Sequence, residues 1–219
     1  MSHWITLDTA HGPVNAWHAM PSGTPKGGLV IIQEIFGVTP HIRDVAEGYA
    51  AEGYEVLAPA FFDPVRKDTE LAYDADGVKQ GLELVGALGI ERALDIVSAA
   101  AAKLVGAGRI GTVGYCWGGT VAMLSAVRLG LPSASYYGGR NVQYLDEQPR
   151  APVIFHFGQD DASIPMEAVE QHRQRLPQMA TWVYPAGHAF NRAGDPHYHA
   201  ESARLALERT LAFFSENLR

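Results

Sequence analysis

The one cysteine of the chain stands at the centre of Gly114-Tyr115-Cys116-Trp117-Gly118. The preceding Arg109-Ile110-Gly111-Thr112-Val113 reads as a strand, and the segment from about Trp117 to Leu129 reads as a helix. Between them the backbone must reverse sharply, and glycines two residues either side of the tip relieve the crowding. A side chain at that tip projects from the strand end, beside the positive end of the helix dipole. A lone cysteine is commonly just a small buried hydrophobe. Glycine on both flanks is what a nucleophile turn needs and a core cysteine does not. The chemistry expected of Cys116 is therefore nucleophilic attack, with its thiolate stabilised by nearby donors and partial positive charge.

Two later loops carry groups that would serve such a thiol. After the apolar Val153-Ile154-Phe155-His156-Phe157 comes a polar turn, Gly158 to Pro165, holding the adjacent acids Asp160 and Asp161. Either acid could instead cap the following helix. After Thr181-Trp182-Val183-Tyr184 comes Pro185-Ala186-Gly187-His188-Ala189-Phe190, which sets a histidine in a tight loop. Nucleophile, acid and histidine, each just after its own strand, follow the chain order of a triad on an α/β-hydrolase sheet. In that arrangement His188 takes the proton of Cys116, while Asp161 fixes the imidazole tautomer and stabilises its cation. The expected oxyanion-hole donors are the amide of Trp117 and, from the loop after Leu29 to Gln33, the amide of Ile35. Glu34 in that loop is a carboxylate at the end of an apolar strand. Facing the turn, it would be partly desolvated, its pKa raised, and able to exchange a proton with the thiol.

The elements that must position these groups are legible in the punctuation of the chain. Strands are expected near Trp4 to Leu7, Val14 to Met20, Leu29 to Gln33, Glu55 to Ala58, Ile110 to Val113, Ser133 to Tyr137, Val153 to Phe157 and Thr181 to Tyr184. Helices are expected at about Thr39 to Glu52, Val78 to Leu104, Trp117 to Leu129, Met166 to Leu176 and Pro196 to Asn217, with Gly86 and Gly89 as points where the second could divide. The first two strands leave no room for a helix between them and predict an antiparallel start. Strand–helix alternation after them predicts an α/β fold with a mostly parallel sheet covered on both faces.

At 219 residues, 47% hydrophobic and 19% charged, the chain is long enough for one well-buried domain and short for two, so a single domain spanning 1–219 is expected. A formal charge of −7 argues against nucleic acid or an anionic membrane surface as partner and suits a small-molecule substrate. One cysteine forms no internal disulfide, and Met1-Ser2-His3-Trp4-Ile5-Thr6 has neither the basic start nor the apolar core of a signal peptide. Cytoplasm is the expected compartment. No apolar run reaches the roughly 18 residues of a membrane helix.

The pattern resembles the dienelactone hydrolases, or carboxymethylenebutenolidases, a cysteine branch of the α/β-hydrolase fold. The likeness covers nearly the whole chain and rests on Gln33-Glu34-Ile35-Phe36-Gly37, Gly114 to Gly119, Tyr136-Tyr137-Gly138, Gly158 to Pro165, and Ala186 to Arg192. The resemblance implies a triad of Cys116, His188 and Asp161, the last preferred over Asp160 because it aligns with the family's acid. It implies that Glu34 keeps the resting thiol neutral until a substrate carboxylate enters, whereupon Glu34 takes the proton and the thiolate forms beside His188. The thiolate then opens a lactone through a thioester, turning dienelactone into maleylacetate in the bacterial breakdown of catechols. No metal or organic cofactor and no obligate protein partner is implied.

For the substrate carboxylate the resemblance implies two arginines. Arg192, four residues after His188, matches one; the place of the other, counted back from the pocket residue Tyr73, is taken by Thr69, and a family tryptophan is replaced by Asp76. Arg66 or Lys67 would be the replacement for the lost charge, against their ordinary reading as solvated surface cations. Tyr137 and Phe36 fit as aromatic walls. Losing one bidentate clamp weakens carboxylate recognition and leaves room for another ester, so a broader carboxylesterase is the alternative function. A non-catalytic ligand-binding or thiol-sensing protein is a further alternative from another class. His197 and His199 invite a metal reading, but two nearby histidines are not a site and suit the start of the last helix.

Overall fold

The chain opens with a hairpin of β1 (Ser2–Thr9) and β2 (Gly12–Ala19), as its short connection requires. In this computed structural model, which describes residues 2–218, β2 also pairs antiparallel with β4 (Glu55–Pro59), and β4 runs parallel to β3 (Gly28–Ile32). Further along, β6 (Ser133–Tyr136), β7 (Val153–Gly158) and β8 (Thr181–Tyr184) are parallel neighbours. With β5 (Ile110–Tyr115) the order is β1-β2-β4-β3-β5-β6-β7-β8. An antiparallel start followed by a mostly parallel sheet is what the alternation predicted. Every residue of β3, β6 and β7 is buried, and β3 and β7 accordingly read as near-continuous apolar runs rather than alternating ones.

The residues gather into two compact units, one running up to Thr112 and taking in Leu218, the other Val113–Asn217. The first carries α1 (Pro40–Ala51), α2 (Ala75–Leu88) and α3 (Ile90–Lys103). Asp74 caps α2 by accepting the Gly77 N–H at 2.8 Å. The helical signal from Val78 to Leu104 is thus two helices, divided at Gly89, whose φ of 75° ends one and starts the next. Gly86 remains inside α2 on its exposed face.

The second unit carries α4 (Trp117–Leu124), α5 (Met166–Arg175) and α6 (Ala200–Asn217). All eight residues of α4 are buried. The single helix expected to Leu129 changes at Ser125 into a π turn over Ser125–Leu129. The Ser125 hydroxyl donates back to the Val121 carbonyl at 2.8 Å, a bond that competes with the helical ladder. The last helix begins at Ala200 rather than Pro196. The residues before it form a turn in which Asp195 accepts the His197 N–H, and His199 accepts the Ser202 N–H at 3.2 Å.

Beneath this unit's loops lies a closed polar network. Thr210 Oγ1 donates to the Ala206 carbonyl at 2.8 Å, so Tyr136 Oη and His156 Nε2, at 2.8 and 3.0 Å, must both donate to it. His156 Nδ1 then accepts from the Tyr184 hydroxyl at 2.8 Å, and the Arg209 guanidinium lies 5.2 Å from the Tyr184 ring centroid. Burial, with the Arg209 charge, pushes His156 down to about 3. The network thus holds a neutral histidine and ties α6 to β6, β7 and β8.

Candidate active site

β5 delivers the chain into a turn with Cys116 at its tip, at φ 56° and ψ −118°. A non-glycine residue there is strained and persists only where its surroundings over-determine it. The Cys116 N–H donates to the Tyr136 carbonyl at 3.0 Å, and the Cys116 carbonyl accepts the Gly119 N–H at 2.9 Å. A Cβ on Gly114 would lie 1.8 Å from the Gly118 carbonyl oxygen, so the reversal needs glycine at that point. The cysteine is half-buried at the start of α4. Trp117 is the first residue of that helix, and its N–H belongs to the turn carrying the helix's partial positive charge.

His188 Nδ1 donates to Asp161 Oδ2 at 2.7 Å, and Asp161 Oδ1 accepts the Ser163 N–H at 2.8 Å. The Asp161 side chain is closed off from solvent, whereas His188 keeps 28% exposure. Asp160 is exposed, and its backbone N–H donates to the Ala186 carbonyl at 3.0 Å. The acid and histidine loops therefore touch. At Gly158 a Cβ would come within 2.3 Å of the Ala186 carbonyl oxygen and 2.7 Å of that of Gly187, so glycine is what lets them close.

Cys116 also acts on the His188 imidazole, as a neighbour that favours its protonated form. Burial works to lower the His188 pKa, but the bonds to Asp161 and Cys116 and the charges of both push it up to about 10. Asp161 thus holds one side of an imidazole that Cys116 and Asp161 together favour in its protonated form. The Tyr137 ring, at φ 38° and wholly buried, lies 4.9 Å from that imidazole and 5.5 Å from Phe190.

Glu34, Ile35, Phe36 and Tyr73 belong to the N-terminal unit. Glu34 follows β3 and is 1% exposed, unlike an ordinary solvated strand-end charge. Gln33 braces this loop by accepting the Phe61 N–H at 3.2 Å and donating to the Glu34 carbonyl at 3.3 Å. The Ile35 carbonyl sits against Gly81 of α2, where a Cβ would fall 2.3 Å away. Phe36 packs edge-on against Tyr73 with ring centroids 4.6 Å apart, and Tyr73 shares a 2.8 Å hydrogen bond with Thr39. Arg66 is an exposed cation that donates to Thr69 at 3.3 Å and to Gln80 at 3.1 Å; Lys67 is exposed as well. Among the described residues no group of three or more His, Cys, Asp or Glu could hold a metal ion.

Arg192 is engaged within its own loop. Its Nε and Nη2 both donate to Asp195 Oδ2, at 3.0 and 2.5 Å, and Asp195 Oδ1 accepts the His197 N–H at 2.8 Å. Burial would raise the Asp195 carboxyl, but the His197 N–H and the Arg192 guanidinium hold it below the usual range. Sequence reasoning singled out Arg192 and passed over Asp195. The available signal was the opposite charge three residues on, a spacing that a turn brings together.

Comparison with known proteins places this geometry in context. The profile of the dienelactone hydrolase family matches residues 14–218. A protein of Escherichia coli K12 named "Putative carboxymethylenebutenolidase" is 35% identical over 222 residues, covering 92% of this chain and 82% of its own. "Carboxymethylenebutenolidase 1" of Cupriavidus pinatubonensis is 31% identical over 212 residues, covering 91% and 90%. The crystal structure of a "Putative Dienelactone Hydrolase" from Klebsiella pneumoniae superposes with a TM-score of 0.87 at 30% identity, covering 99% of this chain and 98% of that one.

Proposed function

The chain belongs to the dienelactone hydrolase family, whose relatives are hydrolytic enzymes, and from that premise we propose that it opens an enol-lactone such as carboxymethylenebutenolide, giving maleylacetate. The observation that supports this most is the Asp161–His188 hydrogen bond, on an imidazole whose protonated form Cys116, at the head of α4, also favours.

In this reading His188 Nε2 takes the thiol proton, and the sulfur attacks the ring ester carbonyl. In this reading the tetrahedral oxyanion receives the N–H groups of Trp117 and Ile35, as backbone donors suited to developing negative charge. Collapse breaks the ring C–O bond, and the enolate that leaves takes the proton from His188 to become the ketone, freeing the imidazole, while the acyl group stays on sulfur. Water, giving its proton to His188, then cleaves the thioester and restores the thiol. Asp161 keeps the imidazole in one orientation throughout and takes no proton. When an anionic substrate arrives, Glu34 is the acceptor that takes this one proton in place of His188, and the imidazole then stabilises the thiolate. Phe36, Tyr73 and Tyr137 are the aromatic walls, and Arg192 is the cation nearest in sequence to His188.

Cys116→Ala is expected to abolish turnover of dienelactone and of an activated aryl ester, with the acyl group appearing on Cys116 of the parent enzyme by mass spectrometry. Full activity in that variant overturns the reading. The pairing of Arg192 with Asp195 favours a second reading, a carboxylesterase of broader specificity sharing the same triad. Indifference to a carboxylate on the substrate, with no loss in Arg192→Ala, selects that second reading.

A further inference from the structure

We propose that Asp195 is a specificity-determining residue, a built-in carboxylate that occupies Arg192 and lets neutral esters and lactones react as readily as carboxylate-bearing ones. This rests on the hydrolase reading above and deepens it by naming the substrate class.

Arg192 sits on the loop that carries His188, tied to it by its own N–H, which donates to the Ala189 carbonyl at 2.8 Å. Its side chain is 11% exposed and that of Asp195 9%. A guanidinium shielded to this degree, four residues after the proposed general base, is a strong attractor for a substrate carboxylate, since charge-assisted bonds from a rigid fork exceed neutral ones. Asp195 fills that role from within the chain. One of its oxygens receives two guanidinium donors, and the other is pinned by the His197 N–H, so the carboxylate cannot swing aside without giving up both sets of bonds.

The turn itself is locked. The Asp195 N–H donates to the Arg192 carbonyl at 3.1 Å, and the Tyr198 N–H to the Asp195 carbonyl at 3.0 Å. An incoming carboxylate must therefore replace an equivalent partner that is already oriented and suffers no loss of translational freedom. The exchange gains little, because like replaces like. A neutral acyl group meets an arginine whose charge is already balanced and leaves no buried cation unpaired.

The test uses a matched pair of probes, p-nitrophenyl hydrogen succinate and its methyl ester, which differ in one negative charge. In the parent enzyme kcat/KM for the two is expected to agree within about tenfold. Asp195→Asn keeps the shape and the acceptor but removes the charge, and should shift the ratio toward the anion by roughly tenfold or more, the scale of a hydrogen bond to a charged group. A folded Asp195→Asn protein whose ratio stays within twofold of the parent's overturns the inference. So does a parent enzyme that prefers the anion by a hundredfold, a result that needs no variant to fold. Cys116→Ala is run on the methyl ester alongside: retained turnover there sinks the hydrolase reading itself, whereas loss of turnover with an unmoved ratio sinks only the role of Asp195.

Discussion

Asp161 holds His188 with one carboxylate oxygen, at 2.7 Å from Nδ1, while its other oxygen is held by the Ser163 N–H at 2.8 Å. Both oxygens are thus committed, and the carboxylate plane is set before any substrate binds. A carboxylate fixed in this way orients an imidazole and stabilises its cation better than one free to rotate.

Replacing Asp161 with Asn keeps the size and the Ser163 contact but removes the charge. Activity against an aryl ester is expected to fall by about two to four orders of magnitude. The His188 pKa should drop from its value of about 10, because two of the influences that raise it come from Asp161. Cys116→Ala should lower it too, since the sulfur supplies the others. Histidine titration by NMR in both variants reads the shift; an unmoved value in either contradicts the coupling.

Gly158→Ala places a methyl group where the Ala186 carbonyl oxygen lies 2.3 Å away. The histidine loop must then move off the acid loop. We expect kcat to fall about a hundredfold, the scale of an ångström's misplacement of a catalytic group. A folded variant with parental kcat would show that the loops have slack.

Acid should destabilise the protein well before its carboxylates titrate. His172, on α5, packs edge-on against both Phe155 and Phe157 with each ring centroid 4.8 Å away, and its Nε2 is buried without a hydrogen-bond partner. Burial pushes it down to about 4, and His156 down to about 3. Both folded values lie below the unfolded one, so their contribution is present above about pH 6.5 and is lost as pH falls toward 4 and 3. His188 works the other way: its contribution is complete below about pH 6.5 and is lost as pH rises through about 10. For His172 alone the loss between pH 7 and pH 5 is on the order of 2 kcal/mol. His172→Phe should reduce the drop in urea-unfolding stability over that interval; an identical drop would exonerate this residue.

Thr210→Val preserves shape and strips the hydroxyl that accepts from Tyr136 and His156. Two buried donors lose their acceptor at once, which should cost about 2–4 kcal/mol in denaturant unfolding at pH 7. A loss below 1 kcal/mol would mean the network repacks without it.

Much of the fold was legible because its signals are local. The β3 and β7 runs, the glycine-flanked Cys116 and the loops of Asp161 and His188 announce themselves within a few residues. The helix break needed one more fact, which of Gly86 and Gly89 takes positive φ, and that depends on where the two helices pack. Ser125 hid its π turn because a hydroxyl bonding back to Val121 leaves no periodic trace. His156 looked like any strand residue, yet three side chains distant in sequence set its tautomer and keep it neutral.

What the sequence by itself determined is the order Cys116, Asp161, His188 and the turn chemistry around each, since those follow from residue type and neighbours along the chain. What only the tertiary structure decided is the contact itself: Asp161, already preferred over Asp160 by resemblance, on His188, and Asp195 on Arg192. Such choices turn on directions and distances of a few tenths of an ångström between side chains on separately placed backbone, and packing alone sets those.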